Sequence, residues 1–295
     1  MSADVPATEA RSDATAGLDE LDTVALVALL ARESRRAFDA VEEQAGAIAA
    51  AVDAIVPRLR GGGALHYVGA GTSGRLGFLD AAEWLPTFGV EPGMVQAHLA
   101  GGGAALLRAV EGAEDDAEAG AAAMRERVAP RDAVVGISAS GGAPFVVAAL
   151  KQARELGAVT VAVSNVPGSP LTSAADYAIV VETGAEPIAG STRMNAGTAQ
   201  KLVLNAISTA AMVRLGKVHD NLMIDLVATN EKLRRRALRL VTALAGCDLA
   251  RAAELLAAAD GRVKVAVAMA RLGVDASQAR ARLEAAGGSL REALR

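Results

Sequence analysis

The stretch "ALHYVGAGTSGRLGFLDAAEWL", residues 64–85, decides the fold. Its first part, "ALHYVGA", is a short apolar run ending in glycine. The last part, "RLGFLDAAEWL", returns to helical spacing of apolar residues until Pro86. Between them Gly69, Gly71 and Gly74 give the spacing G-x-G-x-x-G on a strand-to-helix turn, which raises the question of a dinucleotide. Working outward, the cycle repeats with "MVQAHLAGGG" and a helix expected around Ala104 to Glu111, then with "DAVVGISASGG" and the helix "PFVVAALKQARELG". Two further strands are expected in "AVTVAVSNV" and "DYAIVVETG", separated by the turn-rich "PGSPLTSAA". Five short apolar strands alternating with helices predict an α/β fold, a doubly wound five-stranded parallel sheet covered on both faces.

Before this region the pattern is helical from Leu21 to about Arg60, stopped by Gly61, Gly62 and Gly63. After Gly190 it changes to long helices, "TAQKLVLNAISTAAMVRLG" and "NLMIDLVATNEKLRRRALRLVTALAG", with no strand expected between them. The segment Asp248 to Arg295 reads as three or four short amphipathic helices broken at Gly261, Gly273 and the pair Gly287 and Gly288. The expected organisation is an N-terminal arm and helix over 1–60, a sheet domain with its long helices over 61–245, and a small helical C-terminal appendage over 246–295. The first 18 residues read as an arm that orders against a partner.

Composition limits the function classes. The 295 residues are 52% hydrophobic but only 2% aromatic, so the core is built mainly from Ala, Val and Leu. Small side chains bury little area each, which points to a second subunit covering part of the helical surface. A net charge of -4 provides no basic field and argues against a nucleic-acid partner. The single cysteine, Cys247, rules out an internal disulfide framework and a cysteine-rich metal site. The start, "MSADVPATEARSDATAGLDE", lacks the apolar region of a secretory signal, and no run of roughly 18 apolar residues suggests a membrane span. A cytoplasmic protein with no membrane association is expected.

The glycine loop does not read as a dinucleotide site. Such a site needs an acid at the carboxyl end of the second strand to hold the ribose, and that strand ends "AHLAGGG", residues 97–103. Glu91 precedes the strand and would sit at the far edge of the sheet. The loop instead carries two hydroxyls, Thr72 and Ser73, which with backbone N–H groups at a helix N-terminus suit a phosphate monoester. A second loop, "ISASGG", brings Ser138 and Ser140 with two glycines in the same context. On a parallel sheet both loops share the carboxyl edge, where together they fit a sugar phosphate better than a pyrophosphate. The bland alternative is that both loops are turn chemistry only.

With these loops in place the chain resembles the sugar isomerase (SIS) domain superfamily and, within it, the N-acetylmuramic acid 6-phosphate etherase family. The resemblance runs over nearly the whole length. It is carried by "TEARSDATAGLD", "YVGAGTSGRLGFLDAAEWLPTFG", "AVEGAEDD", "GISASGGAPFV", "GSTRMNAGTAQKLVLNAISTAAMVRLGKV", "NLMIDLVATNEKL" and "GRVKVAVAMARLG". It implies cleavage of the lactyl ether of N-acetylmuramic acid 6-phosphate to N-acetylglucosamine 6-phosphate and lactate, in the recycling of cell-wall (peptidoglycan) amino sugars. It further implies a cytoplasmic homodimer with a small sugar phosphate as substrate and no metal or redox cofactor.

By matching positions, the resemblance makes Glu83 and Glu114 the acid/base pair and places the phosphate on Gly71, Thr72, Ser73, Ser138, Ser140 and Gly141, with Ser191 and Arg193 as further binding residues. His219 and Asn195 are possible contributors. Read without it, Glu83 is a solvated helix carboxylate, Glu114 to Asp116 are acids of a first helical turn, and Arg193 and Lys201 are helix-start and surface cations. Which glutamate is acid and which is base stays open. Whichever is the acid needs a raised pKa, which burial beside residues such as Trp84, Leu85 and Pro86 could supply for Glu83. His66 and His98, inside apolar strands, read as core or edge residues, and His219 as a loop residue. Four positions depart from the family pattern: Asn195 replaces a lysine, Gly142 and Ala143 replace Arg-Thr, and His219 stands where an aromatic residue is common. Two rival functions share the domain, an aldose-ketose isomerase and a non-catalytic sugar-phosphate sensor. Residues Thr8 to Asp19, the Glu83 context and the "ATNEKL" helix argue against the first. The absence of a helix-turn-helix and a basic surface argues against a transcriptional form of the second.

Overall fold

The computed structural model describes residues 6–226 and 231–295. Five strands, β1 (Leu65–Gly69), β2 (Val95–Leu99), β3 (Ala133–Ser138), β4 (Val159–Ser164) and β5 (Tyr177–Val180), form one parallel sheet in the order β2-β1-β3-β4-β5. β1 and β3 are buried at every position, as central strands of a doubly covered parallel sheet are. The helices are α1 (Thr23–Glu33), α2 (Arg35–Glu43), α3 (Ala45–Arg60), α4 (Gly71–Phe88), α5 (Ala104–Leu107), α6 (Ala117–Arg127), α7 (Pro144–Glu155), α8 (Pro170–Ala174), α9 (Asn195–Arg214), α10 (Glu231–Ala245), α11 (Leu249–Ala258), α12 (Val263–Leu272), α13 (Ala276–Ala285) and α14 (Leu290–Ala293). No helix among the described residues is long and apolar enough to cross a membrane.

The two faces of the sheet are covered by different helices, because successive strand residues point to opposite sides. Val68, Val134 and Ala162 join Met124 of α6 and Phe145, Val146 and Leu150 of α7 in one apolar cluster. On the other face α3 packs on β4 and β5. There α4 approaches so closely that a Cβ on Gly77 would lie 3.0 Å from Tyr67 Cβ and 3.2 Å from Ile137 Cδ1. The doubly wound sheet expected from the sequence is therefore the observed one.

Several expectations about individual elements are corrected. The helical region before Gly61 is three helices rather than one. Ser34 Oγ donates to Leu30 O at 2.9 Å, the local side-chain bond that competes with a continuing helix, and the chain breaks again at Gln44. The helix after Gly103 stops at Leu107, because Arg108 is extended. α4 continues past Pro86 to Phe88. "NLM", expected to be helical, forms an antiparallel pair in which β6 (Val218–His219) meets β7 (Leu222–Met223), with Asp220 at positive φ in the turn. The N-terminal arm, from Pro6 on, is ordered against its own chain: Thr8 is buried and its carbonyl accepts the N–H of Gly190 at 3.1 Å.

The chain divides into two compact units, residues 1–81 with 93–207, and residues 82–92 with 208–295. The first contains the sheet. The second has its own apolar cluster, in which Ala237, Leu240 and Val241 of α10 are buried with Ala252, Leu255, Val263, Ala266 and Leu283. The apolar face of α10 belongs with the helices that follow it.

Candidate active site at the carboxyl edge of the sheet

β1 and β3 are neighbours, paired from Leu65 with Ala133 to Gly69 with Ile137. The chain leaves β1 toward β2 on one side and returns to β3 on the other, so the carboxyl ends of β1 and β3 flank the switch point where open α/β sheets bind ligands. Both hydroxyl-rich loops start there. The first passes from Gly69 into α4, which begins at Gly71. A Cβ on Gly74 would stand 2.6 Å from Gly69 O, so the strand-to-helix turn closes only with glycine. This tight turn puts Gly71 and Thr72 at the helix N-terminus, with Ser73 buried just behind. The N–H groups of a helix's first turn and the positive end of its dipole suit such a terminus to an anion.

The second loop joins β3 to α7. Ser138 is buried and its Oγ accepts the N–H of Gly141 at 3.2 Å, while the exposed Ser140 accepts the N–H of Gly142 at 3.2 Å. Gly141 has φ +66° and lies against Ser164 and Ser169, where a Cβ would overlap Ser169 Oγ. Only glycine combines that conformation with that contact. The two loops leave adjacent strands at the same edge of the sheet.

A third segment joins them. The loop from Pro187 to Met194 carries Ser191, half-buried, and Arg193, exposed. It is closed at its base by Glu186, whose fully buried carboxylate accepts the N–H groups of Asn195 at 2.7 Å and Ala196 at 2.9 Å, capping α9. Burial pushes the Glu186 carboxyl above its usual range, and the two backbone donors pull it back in part. The first turn of α9 reaches the first loop, since a Cβ on Gly197 would lie 3.5 Å from Thr72 Cγ2. Asn195 itself is fully buried and neither side-chain polar atom has a hydrogen-bond partner, so it acts through its backbone. Glu186 was not singled out from the sequence: it caps from nine residues upstream, a spacing no local capping signature contains.

Glu114 is exposed in a short 3-10 turn, Ala113–Asp115, which packs on α7. Ala113 lines a cavity of about 500 Å³ at the end of β2, together with Gly101, Gly102, Phe78 of α4 and Phe145 of α7. Asp116 lines the same cavity, but its carboxylate caps α6 through Ala119 N at 2.9 Å. Glu83 is exposed on α4, although Trp84 beside it is buried, so the expected burial of this carboxylate is not found within the single chain. Glu83 follows Thr72 by eleven residues in α4.

His98 lines the same cavity at the end of β2. His66 is fully buried in β1, its Nδ1 lies 2.9 Å from His98 Nε2 of β2, and the two rings stack. Asp132 Oδ2 is 3.4 Å from His66 Nε2 and takes the N–H of Ala129 at 2.7 Å. His66 is thus a core residue and His98 a half-buried residue of the edge strand, the two placements expected of strand histidines. Burial holds His66 below its ordinary value and, helped by His66 and Arg127, lowers His98 to about 4. His219 lies in β6 rather than in a loop, half-buried. Lys201 is exposed, as expected of a surface cation. Of the "ATNEKL" segment, residues 228–230 lie outside the described residues. Among the described residues no group of three or more His, Cys, Asp or Glu side chains is placed to hold a metal ion.

Comparison with known proteins agrees with this architecture. Residues 105–210 match the SIS domain, and residues 47–154 match the N-terminal SIS domain of glucokinase regulatory protein. The phosphoheptose isomerases of Francisella tularensis and Neisseria gonorrhoeae superpose with TM-scores of 0.54 and 0.50 at 19% and 22% identity. They cover 65% and 63% of this chain and 100% and 96% of their own, and share its fold. Among sequence relatives, the N-acetylmuramic acid 6-phosphate etherase of Rubrobacter xylanophilus is 53% identical over 97% of this chain and 95% of its own length. The etherase of Cutibacterium acnes is 48% identical with the same coverages. At that identity over nearly the whole length, the chain belongs to the N-acetylmuramic acid 6-phosphate etherase family.

Proposed function

We propose that the chain is a carbon-oxygen lyase cleaving the D-lactyl ether of N-acetylmuramic acid 6-phosphate, giving N-acetylglucosamine 6-phosphate and D-lactate for cell-wall sugar recycling. The observation that carries this reading is the placement of two hydroxyl-rich loops, Gly71–Ser73 and Ser138–Gly142, on adjacent strands at the β1/β3 switch point. Two helix N-termini with hydroxyls between them suit one phosphate monoester, and Arg193 and Ser191 are carried by the third segment.

An ether is a poor leaving group, so the protein has to make the departure easy. Opening the sugar to its aldehyde acidifies the proton on carbon 2 and places the lactyl oxygen on carbon 3 in the β position. A base removes the carbon 2 proton, an acid protonates the lactyl oxygen as its bond to carbon 3 breaks, and lactate leaves an unsaturated aldehyde. Water then returns its hydroxyl to carbon 3 and a proton to carbon 2. Glu114 as base and Glu83 as acid meet this need, each contributing roughly 10² to 10⁴-fold. The positioned phosphate holds carbons 2 and 3 while these transfers occur.

The chain acts in the cytoplasm as a homodimer in this reading. Val24, Val27 and Phe38 are 81%, 59% and 57% exposed on α1 and α2, an apolar face suited to a second copy. The test of the substrate reading is lactate release from N-acetylmuramic acid 6-phosphate against the unphosphorylated sugar. Release should require the phosphate, and Ser138→Ala should raise KM more than it lowers kcat. Equal release from both sugars would refute a phosphate site at these loops.

A further inference from the structure

Three segments of the second compact unit meet around one carboxylate. Asp225 Oδ2 lies 2.7 Å from Lys264 Nζ and 3.3 Å from Lys217 Nζ. Lys264 also donates to Gly288 O at 2.8 Å. The turn before Lys217 touches the same place, since a Cβ on Gly216 would lie 2.9 Å from Gly288 O. These side chains line a cavity of about 830 Å³, within the roughly 300–1,000 Å³ typical of small-molecule sites.

The charges in this cavity are sorted by depth. Lys264 is only 8% exposed, and Lys217 and Asp225 are half-buried. Arg262, Glu91 and Glu284 are exposed, and Asp260 is ion-paired with Arg280. An ion pair that merely tied the segments together would need one lysine for one carboxylate. A second ammonium on the same oxygen adds repulsion where water is scarce, and burial already disfavours the charge on Lys264. Among the inner groups two lysines thus share one carboxylate, while the rim carries Arg262 and Arg280 with Glu91, Asp260 and Glu284.

We propose that this cavity binds a small oxyanion, a carboxylate or a phosphate, between Lys217 and Lys264. None of the sheet-edge loop residues lines it, and the proposal does not rest on the catalytic reading above. The oxyanion accepts a proton of each ammonium and supplies the negative charge that Asp225 alone does not.

The test is amine acetylation of the full chain, followed residue by residue by peptide mass spectrometry, with inorganic phosphate or D-lactate added at constant ionic strength. One of the two should slow acetylation of Lys217, about threefold at twice its Kd, while the exposed Lys151 and Lys232 react as before. The anion that protects identifies the source. Lys264→Met should abolish the protection. Should that variant fail to fold, Asp225→Asn serves instead: it keeps both ammoniums and removes the competing carboxylate, so protection should appear at lower anion concentration. The proposal is overturned if neither anion slows labelling of Lys217, if all lysines slow alike, or if Asp225→Asn leaves the protection unchanged or weaker. Because the signal comes from Lys217 itself, anion binding at the sheet-edge loops does not imitate it.

Discussion

The Glu186 carboxylate accepts the backbone N–H of Asn195 at 2.7 Å and so ties the two ends of the loop carrying Ser191 and Arg193. Its folded pKa is raised, chiefly by burial. A carboxyl raised above its ordinary value of 4.5 contributes stability that is complete below 4.5 and is lost as pH rises through the folded value. Relative to Glu186→Gln, the wild type should therefore lose stability as pH rises above 4.5. Thermal melts of both proteins across that range check the sign, and an advantage of the wild type that grows with pH would contradict it.

Gly141→Ala should be among the more damaging single-methyl additions in the sheet unit. The residue sits at φ +66° and its new methyl would meet Ser169. Left-handed backbone at a non-glycine residue costs about 1–3 kcal/mol before any overlap is relieved. A fall in denaturation midpoint of that size, with a raised KM, is expected.

The stacked histidines should set part of the acid limb of stability. His98 is lowered to about 4 and His66 is also lowered, so both are neutral in the folded chain at neutral pH. The unfolded chain takes up protons first, near 6.5, so the stability contributed by the neutral pair is present above 6.5 and lost as pH falls toward 4. Replacing His98 by Leu should flatten the change in melting temperature over that interval. An unchanged slope would show that other groups govern it.

Asn195 has two buried side-chain atoms without partners. Removing an unsatisfied buried polar group recovers a desolvation cost of about 1–3 kcal/mol. Asn195→Leu, close in volume, should raise the unfolding midpoint measured by denaturant titration, with the Glu186 cap intact because it uses the backbone N–H.

Much of this was legible in the sequence because it depends on local pattern. The continuous apolar runs of β1 and β3 identify strands of a doubly covered parallel sheet. The glycines at 69, 74 and 141 mark tight turns whatever surrounds them, so both hydroxyl loops could be placed on one sheet edge. What was not legible depends on distant partners. Ser34 ends α1 through a bond to Leu30, although the apolar spacing continues across it. Glu186 caps a helix from outside any local signature. The division after Ile207 follows from which core the apolar face of α10 joins, which periodicity cannot reveal. Glu83 shows the same limit: its neighbours in sequence are apolar, yet its side chain is exposed in the single chain.

Replacing Glu83 or Glu114 by Gln should lower kcat by roughly 10² to 10⁴-fold each, with little change in the Kd of a sugar 6-phosphate. The two roles separate by exchange at carbon 2 in deuterated water. The variant lacking the base should lose exchange, and the variant lacking the acid should retain it.

The central claim is tested most directly by incubating the protein with N-acetylmuramic acid 6-phosphate in ¹⁸O-water and locating the label by mass spectrometry after borohydride reduction. Elimination followed by addition of water predicts ¹⁸O on carbon 3 of N-acetylglucosamine 6-phosphate and unlabelled D-lactate. Label in the hydroxyl of lactate, or substrate binding with no lactate released, would contradict it.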